Sequence, residues 1–147
     1  MDDSIVVGTD GSDTAKQAVS EAVRLAKALG AHVHVVSAFE PTRGARVTGA
    51  PEAAAKVWAP LPDDHVEAIL SEAVAGIRLS GVEVTSHAVR EDPADALLQV
   101  AKKVDASLIV VGSQGMHGVR RLALGNVPNK VSHHATCNVL IVATERS

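Results

Sequence analysis

Hydrophobic and polar positions follow two kinds of pattern along this chain: short apolar runs, and longer stretches with apolar residues every three or four positions. The runs predict buried strands and the longer stretches predict amphipathic helices. The predicted strands are Ser4–Thr9, His32–Phe39, Val82–Val89, Leu108–Val111 and Val139–Ala143. The predicted helices are Thr14–Leu29, Asp63–Leu79, Pro93–Val104 with Asp92 as its cap, and about Val127–Ala135.

Strict alternation of strands and helices indicates a parallel sheet with helices on both faces. We therefore predict one α/β domain over residues 1–147, with five strands in the order 3-2-1-4-5 and a flavodoxin-like outline. Ligands of such sheets bind beyond the carboxyl ends of the strands, where the strand order reverses. In this order the first and fourth strands are neighbours at that point.

One long segment, residues 39–62, breaks the pattern. It contains four prolines, two glycines and Trp58. A loop of this length inside a compact domain is typically functional or disordered. A mobile lid and plain disorder are the two interpretations that the sequence leaves open.

Composition narrows the class of protein. Hydrophobic residues make up 46% of the chain, but the aromatic residues are only Phe39 and Trp58. With a net charge of −3 and no aromatic cluster, the chain has neither the basic surface nor the stacking platform of a nucleic-acid-binding protein. No apolar run reaches the ~18 residues of a membrane helix. The acidic start is unlike a secretory signal and Cys137 stands alone, so we expect a cytoplasmic protein.

Glycines follow the fourth strand and point to a ligand. Gly112, Gly115 and Gly118 come directly after it, and Gly125 precedes the last helix. Such a loop lets backbone N–H groups face a phosphate, aided by the positive end of the helix dipole. The alternative is that these glycines only make a tight turn. The neighbouring strand end, Gly8-Thr9-Asp10, also has residues suited to a ligand, and this coincidence favours the ligand interpretation.

The two ends of the chain, VVGTDGSDTAKQAV and VVGSQGMHGVRRLALGNVPNKVSHHATCNVLIV, resemble the universal stress protein family, and the resemblance covers the whole chain. The ATP-binding branch of that family carries Gly-x2-Gly-x9-Gly followed by Ser or Thr. Gly112, Gly115 and Gly125 match this spacing, but Asn126 takes the place of the hydroxyl residue.

The resemblance implies a nucleotide site. Asp10 would accept hydrogen bonds from ribose hydroxyls, apolar residues at strand ends would line the adenine pocket, and the loop and last helix would hold phosphate. The implied nucleotide-binding residues are Gly8, Thr9, Asp10, Ala38, Val111, Gly112, Gly115, Gly125, Asn126 and Val127. Three more candidates for phosphate contacts, with simple solvent exposure as the alternative, are His117, Arg120 and Arg121.

Asn126 has two interpretations: it contacts phosphate, or it caps the last helix without touching a ligand. In the second case, triphosphate binding weakens while adenosine, AMP or cyclic AMP still binds.

The chain lacks the P-loop lysine and hydroxyl that serve Mg²⁺ and phosphate, and no catalytic residues are predicted. Seven histidines, including His32 and His34 on one strand, show no metal-ligand spacing, so no metal site is predicted.

The leading functional hypothesis is a stress-response protein that binds ATP, AMP or cyclic AMP as a sensor or reservoir, with Mg²⁺ accompanying ATP. The resemblance also implies a homodimer through the last strand, Asn138 to Ala143. One alternative is slow ATP hydrolysis or nucleotidyl transfer. The other is a nucleotide-free dimeric interaction protein.

Overall fold

The structure, a computed structural model, describes residues 3–39, 64–113 and 126–143. Its strands are β1 (Ser4–Gly8), β2 (His32–Ala38), β3 (Val84–Val89), β4 (Leu108–Gly112) and β5 (Asn138–Val142). Its helices are α1 (Asp13–Leu29), α2 (Asp64–Leu79), α3 (Pro93–Lys103) and α4 (Asn126–His134). The predicted single α/β domain is confirmed, and element bounds differ from the predicted ones by at most two residues.

The five strands form one parallel sheet in the order β3-β2-β1-β4-β5, as the sequence predicts. The chain starts in the middle, moves outward through β2 to β3, and then returns to pair β4 with β1. Right-handed crossovers place helices on one face while the chain moves in one direction and on the other face after it reverses. The reversal therefore divides the helices into two pairs.

Each pair of helices covers one face of the sheet with aliphatic side chains. The face covered by α1 and α2 buries Ile5, Val7, Val33, Val35 and Val110 against Ala18, Ala22, Ala26, Val66, Leu70 and Ile77. The face covered by α3 and α4 buries Val6, Val36, Ile109 and Val111 against Ala96, Leu97, Val100 and Val131. The core contains Val, Ile, Leu and Ala, in line with the scarcity of aromatic residues.

The amino edge of the sheet is closed by short connections. Each helix is joined to the following strand by two to four residues. Gly30 ends α1 in the left-handed conformation (φ +70°), as expected for a helix C-terminus. The backbone N–H groups of Ala31, Ala106 and Ser107 donate to carbonyls of Ala26, Ala101 and Ser4, each at 2.9 Å. Backbone hydrogen bonds therefore close this edge on both faces of the sheet, at the end of α1 on one face and at the end of α3 on the other.

The prediction for the third strand is wrong at its start, because β3 begins at Val84 and not at Val82. Gly81 has φ +85° and forms a turn, so Val82 enters the core (7% exposed) before the strand pairing starts. Apart from Phe39, the segment 39–62 lies outside the described residues. None of the described helices combines the length and hydrophobicity needed to span a membrane.

Candidate functional site

A cleft opens at the carboxyl edge of the sheet, where the chain's direction reverses between β1 and β4. It encloses about 660 Å³, counting the part open to solvent. Its described lining comprises Gly8, Thr9, Asp10, Ser12, Thr14, Ala15, Ala18, Val36, Ala38, Pro93, Leu97, Val111, Gly112 and Val127. Asp10 is the one charged side chain among these residues.

The turn after β1 is held by its own polar side chains. Thr9 donates its backbone N–H to the carbonyl of Val36 (2.9 Å), and its hydroxyl accepts from the N–H of Gly11 (3.1 Å). Oδ1 of Asp10 accepts from the N–H of Ser12 (3.0 Å) and from its hydroxyl (2.6 Å). The Ser12 hydroxyl in turn accepts from the N–H of Ala15 (3.2 Å) and so caps α1.

This network commits one oxygen of the Asp10 carboxylate and leaves the other available. Oδ2 of Asp10 has no hydrogen-bond donor among the described residues, and the side chain is half-buried at the cleft. A carboxylate held in this way is a fixed acceptor for a hydroxyl group of a ligand.

Two glycines allow this close packing. Gly11 has φ +84°, which favours glycine, and a Cβ at this position would lie 3.1 Å from Cγ1 of Ile69 on α2. A Cβ on Gly8 would lie 3.2 Å from Cδ2 of Leu97 on α3. The turn is thus packed against α2, and the end of β1 against α3.

The structure brings together most of the described site residues predicted from the sequence. Seven of them line the cleft: Gly8, Thr9, Asp10, Ala38, Val111, Gly112 and Val127. Asn126 is exposed and is the first residue of α4. It does not line the cleft, whereas the next residue, Val127, does. The other candidates, Gly115, Gly125, His117, Arg120 and Arg121, lie outside the described residues.

Several lining residues were missed in the sequence analysis. They belong to the first two turns of α1 (Thr14, Ala15, Ala18) and α3 (Pro93, Leu97), together with Ser12 and Val36. Topology carried a usable signal, since every helix that follows a strand of a parallel sheet begins at the carboxyl edge. The N-termini of α1, α3 and α4 therefore meet at the cleft, and their dipoles favour negative charge there.

A histidine cluster lies elsewhere on the sheet, on the α3 and α4 face of β2 and β3. Nδ1 of His34 is 3.0 Å from Nε2 of His87, and the His32 ring stacks on His34 with centroids 4.6 Å apart. His32 also contacts the Thr85 hydroxyl (2.8 Å) and Glu83 (3.4 Å). Within the described ranges, no three His, Cys, Asp or Glu side chains have an arrangement that could hold a metal ion.

Burial and like charge lower the pKa values of His34 and His87 and so favour their neutral forms. Burial is the main cause that lowers the pKa of His34 to about 4, and the neighbouring His32 and His87 add to it. The pKa of His87 is also lowered, first by burial and then by Lys103 and His32. At neutral pH the two rings can therefore share a hydrogen bond without charge.

Comparisons with known proteins agree with the fold and show the family. The model of the universal stress protein family matches residues 1–143. The universal stress protein YxiE of Bacillus subtilis is 33% identical, with 97% of this chain and 99% of that protein covered. A universal stress protein crystallised in complex with cAMP is 31% identical, with a TM-score of 0.73 over 97% of this chain and 98% of that one.

A second solved structure supports the fold. The universal stress protein from Archaeoglobus fulgidus in complex with dAMP is 24% identical and superposes with a TM-score of 0.67. The superposition covers 96% of this chain and 97% of the Archaeoglobus fulgidus chain.

Proposed function

Because this chain belongs to the universal stress protein family, we propose that it binds an adenine nucleotide in the cleft between β1 and β4. The nucleotide would be ATP, AMP or cyclic AMP, and the protein would act as a sensor or reservoir in a stress response. The observation that carries the proposal is the cleft itself, which is mainly apolar and has a single carboxylate in its described lining.

The lining suits the two halves of a nucleoside. Ala38, Val36, Val111 and Leu97 offer an aliphatic surface for a flat base. Oδ2 of Asp10 offers an acceptor for a ribose hydroxyl. The 31% identical protein crystallised with cAMP supports an adenine nucleotide as the ligand.

We assign the phosphate to the start of α4. Val127 reaches the cleft there, and the N-terminal turn of a helix has free N–H donors and a positive dipole end. Contacts from Gly115, Gly125, Asn126, His117, Arg120 and Arg121 belong to the same proposal, as does Mg²⁺ with ATP. Pro128, which has no N–H, sits in the first turn, where that loss is tolerated.

A calorimetric titration tests the proposal. Purified protein freed of nucleotide is titrated with ATP, AMP and cyclic AMP, with and without Mg²⁺. Saturable binding of at least one supports the proposal, and the preferred nucleotide defines the role of Asn126. If none of the three binds, the proposal is wrong, and a nucleotide-free interaction protein becomes the better interpretation.

The Asp10→Asn variant tests the ribose contact. Asn keeps an oxygen that can accept from Ser12 but loses the charge that strengthens a hydrogen bond to a ribose hydroxyl. We expect AMP to bind about 10- to 100-fold more weakly, the effect of a hydrogen bond to a charged group.

Asp13→Asn is the matched control, since Asp13 is exposed on α1 three positions away and does not line the cleft. It removes the same charge and should change the affinity by no more than about twofold. Equal losses in the two variants would contradict a direct contact between Asp10 and the ribose.

We further propose a homodimer formed through β5. The strand is an edge of the sheet, and its residues Val139 to Val142 remain partly exposed in the single chain. An apolar edge strand favours pairing with a second copy. Sedimentation velocity tests the oligomeric state.

We also propose a cytoplasmic location, which the single cysteine supports.

A further inference from the structure

A lysine bridges the two helices that begin at the cleft on the same face of the sheet. Nζ of Lys130, on α4, lies 3.0 Å from Oδ1 of Asp95 and 3.6 Å from Oδ1 of Asp92. Asp92 caps α3 through its other oxygen, which accepts from the N–H groups of Ala94 (3.2 Å) and Asp95 (3.4 Å). The lysine thus contacts the cap and the first turn of α3.

Both helices contribute to the cleft wall close to this bridge. Pro93 and Leu97 come from α3, and Val127 comes from α4. Lys130 follows Asn126 by four residues, so the two side chains lie on the same side of α4. The bridge is therefore one helical turn away from the N-terminal turn to which we assign the phosphate.

The helix α4 is short and packs on the core through its middle and its N-terminal turn, where Val127 is partly buried. It has nine residues, of which Pro128 and Val131 are buried. Because its fully buried residues lie near its middle, a small tilt of the helix about them would displace its N-terminal N–H groups from a ligand. The contact of Lys130 with Asp92 and Asp95 ties α4 to α3 and restricts that tilt.

The charges in the bridge favour its formation. The hydrogen bond with Asp95 raises the pKa of Lys130, and Asp92 adds to the effect. The lysine is therefore an ammonium ion at neutral pH, between two carboxylates, and forms a charge-assisted contact with α3.

We propose that Lys130 is a positioning residue for phosphate: its bridge to Asp92 and Asp95 holds the N-terminal turn of α4 in the orientation that binds the nucleotide's phosphate group. The inference rests on the proposed nucleotide-binding function and adds a residue that need not touch the ligand. It separates the binding of the nucleoside, which depends on the strand ends, from that of the phosphate.

The test compares adenosine with AMP by calorimetry in the wild-type protein and in Lys130→Met, which keeps the aliphatic stem and removes the charge. We expect AMP to bind about fivefold more weakly, the effect of losing a partly exposed ion pair, and adenosine to bind as in the wild type. Lys130→Arg, which can bridge the same carboxylates, should restore most of the AMP affinity.

Two further variants control for charge. Lys16→Met removes a lysine from the opposite face, where it contacts Glu72 at 3.7 Å, and should leave AMP binding unchanged. Asp95→Ala breaks the bridge from the other side while it removes a negative charge. Positioning by the bridge predicts weaker AMP binding in Asp95→Ala, whereas a purely electrostatic role predicts tighter binding.

The outcomes are distinguishable. If the wild type binds neither adenosine nor AMP, the proposed function is wrong and this inference falls with it. If the wild type binds both and Lys130→Met weakens both equally, or neither, the positioning role is wrong. Tighter AMP binding by Asp95→Ala would also overturn it.

Discussion

Acid should destabilise this protein through the histidine cluster, and the His34→Gln variant should reduce that effect. His34 contacts His87 at 3.0 Å and stacks on His32. Two charged groups also face the cluster. Glu83, in the loop before β3, contacts His32, and Lys103, on α3, lowers the pKa of His87. If His34 and His87 were both protonated, neither could accept the hydrogen bond that joins β2 to β3. Gln keeps hydrogen-bonding capacity at position 34 and does not titrate.

The size of the effect follows from the pKa of His34, about 4 in the folded protein, against an unfolded value of about 6.5. Since the folded pKa is the lower one, the unfolded chain binds more protons in acid. The stabilisation is complete above pH 6.5 and is lost as the pH falls toward 4. Full linkage gives a loss of about 2 kcal/mol at pH 5. Because the ring is partly exposed to solvent, we halve this to about 1 kcal/mol.

Urea denaturation at pH 7.5 and pH 5.0 measures the free energy of unfolding of each variant. Between these two pH values, the wild type should lose about 1 kcal/mol more than His34→Gln. The matched control is His65→Gln, which removes an exposed histidine on α2 away from the cluster and should follow the wild type. Parallel losses in the wild type and His34→Gln would refute the reasoning, because the contributions of groups outside the cluster cancel in the comparison.

Two further predictions concern stability and use matched pairs measured by the same denaturation assay at pH 7.5. Gly11→Ala should cost about 1 kcal/mol more than Gly30→Ala, since both glycines have positive φ but only at Gly11 does a Cβ approach Ile69 (3.1 Å), whereas nothing lies within 4 Å at Gly30. Equal costs would show that the contact with α2 adjusts freely. Ile109→Ala, at a fully buried position in β4, should cost about 2–5 kcal/mol, while Leu79→Ala, at a position 90% exposed, should stay within about 0.5 kcal/mol. A small loss for Ile109→Ala would contradict the described core.

The sequence predicted the fold well because its signals are local and redundant. Apolar strands, helical periodicity and caps such as Asp92 agree with one another at nearly every element. The strand order then follows from chain alternation together with the handedness of crossovers. The error at Val82 has a local cause, since an apolar residue after the Gly81 turn can enter the core without pairing in the sheet.

The cleft-lining residues were predicted at the strand ends and at the start of α4, and were missed on α1 and α3. Gly112 ends β4 and Asp10 lies two residues after β1, so their place at the carboxyl edge can be inferred from the chain order. Periodicity identifies Ala15 and Leu97 as inward-facing but does not tell a core position from a cleft wall. The contact of His34 with His87 depends on the register between β2 and β3, which pairs His34 with Thr85 across 51 residues of sequence. No local pattern specifies that register.

The two edges of the sheet differ in how much change the chain can accept. At the amino edge, connections of two to four residues, closed by backbone hydrogen bonds, leave no room for an insertion without displacing a strand. At the carboxyl edge, by contrast, 25 residues of sequence separate the end of β2 from the start of α2, and 13 separate the end of β4 from the start of α4. Added loops, and even a whole inserted domain, are therefore expected to be tolerated at that edge alone. A reporter domain inserted there would lie next to the cleft, so the scaffold offers a route to a biosensor in which ligand occupancy is read directly.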